Sequence, residues 1–223
     1  MKRMMTAGLL AVALLAGGGW WISQQGRSAL PEGFALPGAA SAQGADAAAV
    51  EIVEMVQGNP DATVEVIEYA SFTCPHCARF HEGAYGQLKA DYIDTGKIRF
   101  VYREVYFDKY GMWASMIARC EPAKFFGITE LVYKGQGTWA RAGSDAAIAD
   151  ELRKIGRLAG LESDRIEACL TDGAKLRALV EWYQANAEEH GIKSTPSFVI
   201  NGKLYSNMPY DEFRTVLDEQ LGG

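Results

Sequence analysis

At 223 residues the chain suits one domain, or one domain carrying a large insertion. Hydrophobic residues are 48% and charged residues 22%, enough to bury a core and to confine disorder to local segments. A net charge of −6, with no basic run beyond the N-terminus, argues against a nucleic-acid partner, which asks for a basic face.

In chain order, the first feature is a targeting segment. Lys2 and Arg3 form a positive region, and an uncharged apolar stretch runs from Ala7 to Ile22. Residues 1–22 read as an export signal: either a signal peptide or an uncleaved membrane anchor with Trp20 and Trp21 at the interface. Ala40-Ser41-Ala42 resembles a cleavage site but lies far behind the apolar stretch. The stretch itself is slightly short of the ~20 residues that a spanning helix prefers. Both readings export the rest of the chain, so an extracytoplasmic location is expected, soluble or N-terminally anchored. Residues 23–49, rich in Ala, Gly, Ser, Gln and Pro, read as a flexible linker.

Folded structure is expected from Val50. Glu51 to Val56 reads as a short strand, closed by the turn Gly58-Asn59-Pro60-Asp61. Thr63 to Tyr69 is rich in β-formers and reads as a central strand. After Cys74-Pro75-His76-Cys77, residues Phe80, Ala84 and Leu88 recur at helical spacing, and Gly96 ends that helix. Lys97 to Phe107 reads as another strand. Met112 to Cys120 and Pro122 to Tyr133 are expected helices. Ser144 can cap a third, with Ile148, Leu152 and Ile155 on one stripe, and Ser163 a fourth containing Cys169. Leu176 to Ala187 marks a fifth, stopped by His190-Gly191.

The period then returns to that of strands. Phe198 to Ile200 and Lys203 to Tyr205 flank Asn201-Gly202, a type I′ hairpin signal. Pro209 opens a last helix whose buried face is Phe213, Val216, Leu217 and Leu221. This order suggests an α/β fold: one mixed sheet with helices on its faces, built from residues 50–107 and 190–223. Residues 108–189 would be a helical insertion.

The chemistry centres on Cys74 and Cys77. Pro75 fits the first helical position, where its missing N–H costs nothing. Cys74 then falls at the N-cap, facing unpaired N–H groups and the positive end of the helix dipole, which favour its thiolate. His76 favours it further if protonated or donating a hydrogen bond. A low-pKa thiolate is both the attacking species and a good leaving group in disulfide exchange. Cys77, deeper in the helix, would be the resolving thiol. A zinc half-site or a plain structural disulfide is the competing reading, but zinc needs four ligands that these spacings do not supply. His81 reads as a helix-surface residue. Thr195-Pro196, before an apolar strand, is a candidate cis peptide; Thr195 could then offer its backbone to an extended substrate. Glu68 is in phase with Val64 and Val66, so it is expected to be buried and able to accept the Cys77 proton.

Gly58 to Cys77 and Gly191 to Gly202 resemble the motif regions of the DsbA-like family of bacterial thiol–disulfide oxidoreductases. The resemblance runs from about Val50 to the C-terminus. It implies a thioredoxin fold with a helical insertion in a periplasmic protein. Its implied site has Cys74 as nucleophile, Cys77 as resolving cysteine, Pro196 cis and Glu68 as the buried acid. No cofactor beyond the redox-active disulfide and no metal is implied. The partners would be reduced or misoxidised exported proteins and a DsbB-like membrane reoxidant. Thr195 stands where the best-known oxidant of the family has Val, and is closer to disulfide isomerases and other DsbA-like branches. Cys120 and Cys169 match cysteine pairs in the insertions of some DsbA-like proteins, so a structural disulfide is expected; free thiols or a second redox relay are the rivals. Dithiol oxidation of exported proteins is the leading function. Isomerase or reductase activity, or a non-catalytic peptide- or metal-binding module, are the alternatives.

Overall fold

The computed structural model describes residues 50–222; the expected signal or anchor and the linker lie outside them. Among the described residues five strands form one mixed sheet: β1 (Met55–Gly58), β2 (Glu65–Ala70), β3 (Arg99–Glu104), β4 (Ser197–Ile200) and β5 (Lys203–Ser206). The order is β1-β3-β2-β4-β5. β2 is central, parallel to β3 and antiparallel to β4. With neighbours on both edges and helices on both faces, it is buried from Val66 to Ala70, Glu68 included.

Alternation along β2 assigns its two faces. Val66 and Glu68 share a face with Phe100 and Tyr102 of β3 and Phe198 of β4, their register partners. Onto this face pack α1 (Pro75–Glu82), α4 (Phe125–Lys134) and α9 (Tyr210–Gln220). Phe80 of α1 lies 4.9 Å from Phe198, which lies 4.8 Å from Phe213 of α9, so an aromatic cluster pins the helix to the sheet. Ile67, Tyr69, Val101 and Val199 form the opposite face, packed against Ile192 and Tyr183 of α8 (Gly173–Glu189).

Two turns need their glycines. Gly58 has φ +83°, and a Cβ there would sit 2.3 Å from the Ile98 carbonyl oxygen. Asn201 and Gly202, at φ 46° and 80°, make the two-residue hairpin turn between β4 and β5.

Between β3 and β4 lies the helical insertion. After α2 (Ala84–Leu88), it comprises α3 (Lys109–Ala118), α4, α5 (Gln136–Trp139), α6 (Asp145–Leu158), α7 (Ser163–Thr171) and α8. Ser144 caps α6 by accepting from the Ala147 N–H at 3.2 Å. This is a thioredoxin fold with a helical insertion. Among the described residues no helix is long and apolar enough to cross a membrane.

Several boundaries differ from the sequence reading. The first strand begins at Met55, not Glu51. Ahead of it the chain is held by side chains instead of a ladder: Arg103 forks onto Glu54, and Arg119 donates to the Val53 carbonyl. The helix expected from the cysteines to Gly96 breaks at Gly83, which lies outside helical dihedrals, and resumes as α2 and a π-helical turn at Lys89–Ile93. Asp108 and Asp172 cap α3 and α8, starting both earlier than apolar spacing suggested. The cap of α7 is Glu162; Ser163 is already helical. Leu221 is exposed because α9 ends before it.

Candidate active site

Cys74 is the N-cap of α1, with extended dihedrals, and Pro75 is the first helical residue. The approach to it is tightly held. The Cys74 N–H donates to the Ser71 carbonyl at 3.0 Å. Thr73 Oγ1 donates to Asp108 Oδ2 at 2.7 Å, while Asp108 Oδ1 caps α3. Gln136 Nε2 donates to the carbonyls of Phe72 (2.8 Å) and Cys74 (3.0 Å). Thus α3 and α5 of the insertion fix the loop that presents the cysteine. Gln136 was not foreseen: α5 is four residues long and has no periodic signature.

Both cysteines are free thiols, Cys74 9% exposed and Cys77 fully buried. Their environments drive them apart. The Cys74 thiol is pulled from its ordinary 9.0 to about 5, chiefly because the Cys77 thiol donates to its thiolate. Burial opposes the change; Thr195 and the backbone N–H groups of Cys77 and His76 reinforce it. Cys77 is pushed far up, first by burial, then by its bond to Cys74 and by the nearby Glu68 charge. Residue 76 therefore reaches the sulfur through its backbone. The exposed His76 imidazole has its Nδ1 2.8 Å from Arg79 Nη2.

Facing the helix start is the loop ahead of β4. The Thr195–Pro196 bond is cis. As a thiol, Cys74 donates to the Thr195 carbonyl at 3.4 Å. The Thr195 hydroxyl is buried without a hydrogen bond to any described oxygen or nitrogen, which leaves it to turn toward the thiolate. Ser197 Oγ bonds the Ser194 carbonyl at 2.8 Å and closes the loop behind it.

Beneath the cysteines, Glu68 is fully buried. Its carboxylate oxygens both lie 3.0 Å from Nε2 of His81. His81 is not on the surface as expected: its side chain is 4% exposed. One turn after Cys77, it shares that residue's inward face, and α4 covers it. Its ring stacks on Tyr133 of α4 at 4.3 Å and 18°. The signal that could have found it was the i, i+4 spacing from the buried cysteine. The same ring lines a cavity of about 500 Å³ between α1, α2 and α4.

Cys120 and Cys169 are joined by a disulfide, S–S 2.01 Å, linking the end of α3 to α7. The Cys120 carbonyl also accepts from Arg165 Nη2 at 2.9 Å. Among the described residues no cluster of three or more His, Cys, Asp or Glu is arranged to hold a metal ion.

Comparison with known proteins agrees with this geometry. A family model described as "Thioredoxin" matches residues 50–219. A Rickettsia bellii protein named "Putative protein-disulfide oxidoreductase" is 32% identical over 170 residues, 75% of this chain. The chain spans only 64% of that relative's length. "Disulfide bond formation protein D" of Bacillus subtilis is 25% identical over 178 residues, covering 75% of this chain and 77% of its own. Among solved structures, alpha-DsbA1 of Wolbachia pipientis superposes with a TM-score of 0.71 at 27% identity, over 76% of this chain and 91% of that one.

Proposed function

Since the chain belongs to the thioredoxin family, in its DsbA-like group, we propose that it is a thiol–disulfide oxidoreductase that donates a disulfide to exported proteins. The observation that carries this reading is the asymmetry of the pair: a thiol, 9% exposed, held near pKa 5 at a helix start, backed by a fully buried one held protonated.

In the disulfide form, a substrate thiolate attacks Cys74. The Cys74–Cys77 bond breaks, a substrate–Cys74 mixed disulfide forms, and Cys77 leaves and takes a proton. A second substrate thiolate then attacks the substrate sulfur of the mixed disulfide. The substrate gains its disulfide, and Cys74 leaves as a thiolate that its surroundings stabilise. Reoxidation reverses the roles: Cys74 attacks a partner disulfide, and Cys77, losing its proton to Glu68, closes onto Cys74. The Thr195 carbonyl, 3.4 Å from Cys74, is placed to meet a substrate main chain laid alongside the loop. The role needs a partner that reoxidises the pair; the DsbA-like group implies a DsbB-like membrane protein for it and the periplasm as the compartment.

The depressed thiol also speaks to direction. At pH 7 a value of about 5 in place of 9.0 stabilises the dithiol form by about 2.7 kcal/mol, which raises the two-electron potential by about 60 mV. That supports an oxidant. Thr195 supplies the second reading, an isomerase or reductase, because a threonine before the cis proline resembles isomerases and other DsbA-like branches, even though its hydroxyl favours the same thiolate. Cys74→Ser should abolish disulfide transfer to a reduced substrate; full transfer by that variant would sink the proposal. The potential of the Cys74–Cys77 couple then decides direction: well above the thioredoxin value of about −270 mV for an oxidant, near it for a reductant.

A further inference from the structure

Resting on the exchange reading above, we propose that His81 carries the Cys77 proton between Glu68 and water in the cavity bounded by α1, α2 and α4. His81 is a positioning and relay residue: it acts through Glu68 and does not touch the reacting sulfurs.

Geometry carries the argument. Cys77 and Glu68 are both fully buried, so a proton passed between them has no direct exit. Among the described residues, His81 is the hydrogen-bond partner of the Glu68 carboxylate, with Nε2 equidistant from both oxygens at 3.0 Å. The Tyr133 ring fixes the imidazole plane. With Nε2 committed to Glu68, Nδ1 is the ring atom left to exchange with water. The cavity, at about 500 Å³, has room for several waters.

The proposed relay starts, in the dithiol form, from a Glu68 carboxylate and a His81 imidazolium, an ion pair that the two 3.0 Å contacts accommodate. When Cys74 is in a mixed disulfide, Cys77 gives its proton to Glu68 and its sulfur attacks Cys74. The Cys74–Cys77 bond forms, the bond to the partner breaks, and the partner leaves as a thiolate carrying the electron pair. His81 releases its Nδ1 proton to cavity water, so the pair becomes carboxyl and neutral imidazole. Its net charge is zero before and after, which avoids a lone buried charge at either end of the step. Run backwards, Glu68 protonates the departing Cys77 and His81 takes a proton from the cavity.

Other titratable groups face this pair from every neighbouring element. Tyr85, Tyr102 and Tyr133 surround it, and burial raises all three phenols, so they stay protonated across the working range. Glu82, Lys89, Glu130 and Lys134 line the cavity, two acids and two bases that leave its walls without a dominant charge.

The test mixes the reduced full chain with oxidised glutathione and follows two steps: Cys74 attack, then closure by Cys77. His81→Gln keeps an N–H for Glu68 but cannot carry a proton. It should leave the first step within about twofold and slow closure on the order of 100-fold. In His81→Ala, free imidazole should restore closure in proportion to its concentration, which a merely structural role would not allow. The wild-type His81 ring, followed by nitrogen NMR, should be charged in the dithiol form and neutral in the disulfide form. If His81→Gln closes at the wild-type rate with the wild-type pH profile, the relay is wrong. An imidazole whose charge is the same in both redox forms overturns it too, even if His81→Ala does not fold. Loss of the first step in the wild type would instead overturn the proposed function.

Discussion

Cys74 Sγ lies 3.4 Å from the Thr195 carbonyl oxygen, across the gap between the start of α1 and the loop ahead of β4. Two segments about 120 residues apart therefore share one sulfur. The Thr195 hydroxyl belongs to the same contact: it has no other described partner and helps hold the thiol down. Thr195→Val keeps the shape and removes that donor. A hydrogen bond to a charged group contributes about 1.5–3 kcal/mol, so the Cys74 pKa should rise by roughly 1–2 units. The thiolate absorbance of the reduced protein against pH measures this directly. An unchanged midpoint would remove Thr195 from the account of the thiolate.

The same thiol couples redox state to stability. Its native value is about 5 and its ordinary value 9.0, so the group is depressed by folding. Its contribution to the dithiol form is complete above pH 9, partial between 5 and 9, and lost below 5. The disulfide form has no such group. The excess unfolding free energy of the dithiol form, relative to the disulfide form, should therefore grow by about 1.4 kcal/mol per pH unit between those limits. Parallel denaturation of the two forms across that range reads the slope, and Cys74→Ser, which has only one form, should lack the extra gain with pH that the wild-type dithiol form shows. A pH-independent difference in the wild type would contradict a thiol near pH 5.

What the sequence made legible was whatever local chemistry determines. Pro75 at the first helical position, the Asn201-Gly202 turn and the Ser144 cap are decided within a few residues, and each stands where expected. Glu68 was legible because alternation with Val64 and Val66 is a local rule, and all three are buried. His81 was not, because its burial depends on α4 arriving about 50 residues later to stack Tyr133 on it. Gln136 was missed for the same reason: its two bonds to the cysteine loop span more than 60 residues. The early start of β1 failed at Arg103 and Arg119, long-range side chains that take the place of ladder bonds.

Arg119 and Glu104 join the insertion to the sheet. Both are 1% exposed, with Nε–Oε1 at 2.5 Å and Nη2–Oε2 at 2.7 Å. Arg119 also holds the Val53 carbonyl, and its own carbonyl accepts from Lys175 of α8 at 2.7 Å. Removing one partner leaves a buried charge alone. Glu104→Gln should cost about 3–5 kcal/mol in urea denaturation of the disulfide form. Glu104→Met combined with Arg119→Leu, which removes both charges, should cost less than Glu104→Gln alone. A double variant that is the weaker of the two would mean the pair is valued for its hydrogen bonds rather than for matched charge.

The Cys120–Cys169 bridge closes a loop of 49 residues within the insertion. In the chain-entropy account, a loop of that length restricts the unfolded chain by about 4 kcal/mol. Cys120→Ser with Cys169→Ser should lower the unfolding free energy by up to about that amount. The pair sits at the end of α3 and in α7, whereas the loop presenting Cys74 is held by Asp108 at the start of α3 and by Gln136 in α5. Those holds survive the substitution, so the Cys74 pKa should move by less than about half a unit, a change worth under ~1 kcal/mol. Denaturation and thiol titration of the same variant separate the two roles. A large shift at Cys74 would make the bridge part of the redox site, with α3 as the element that transmits it.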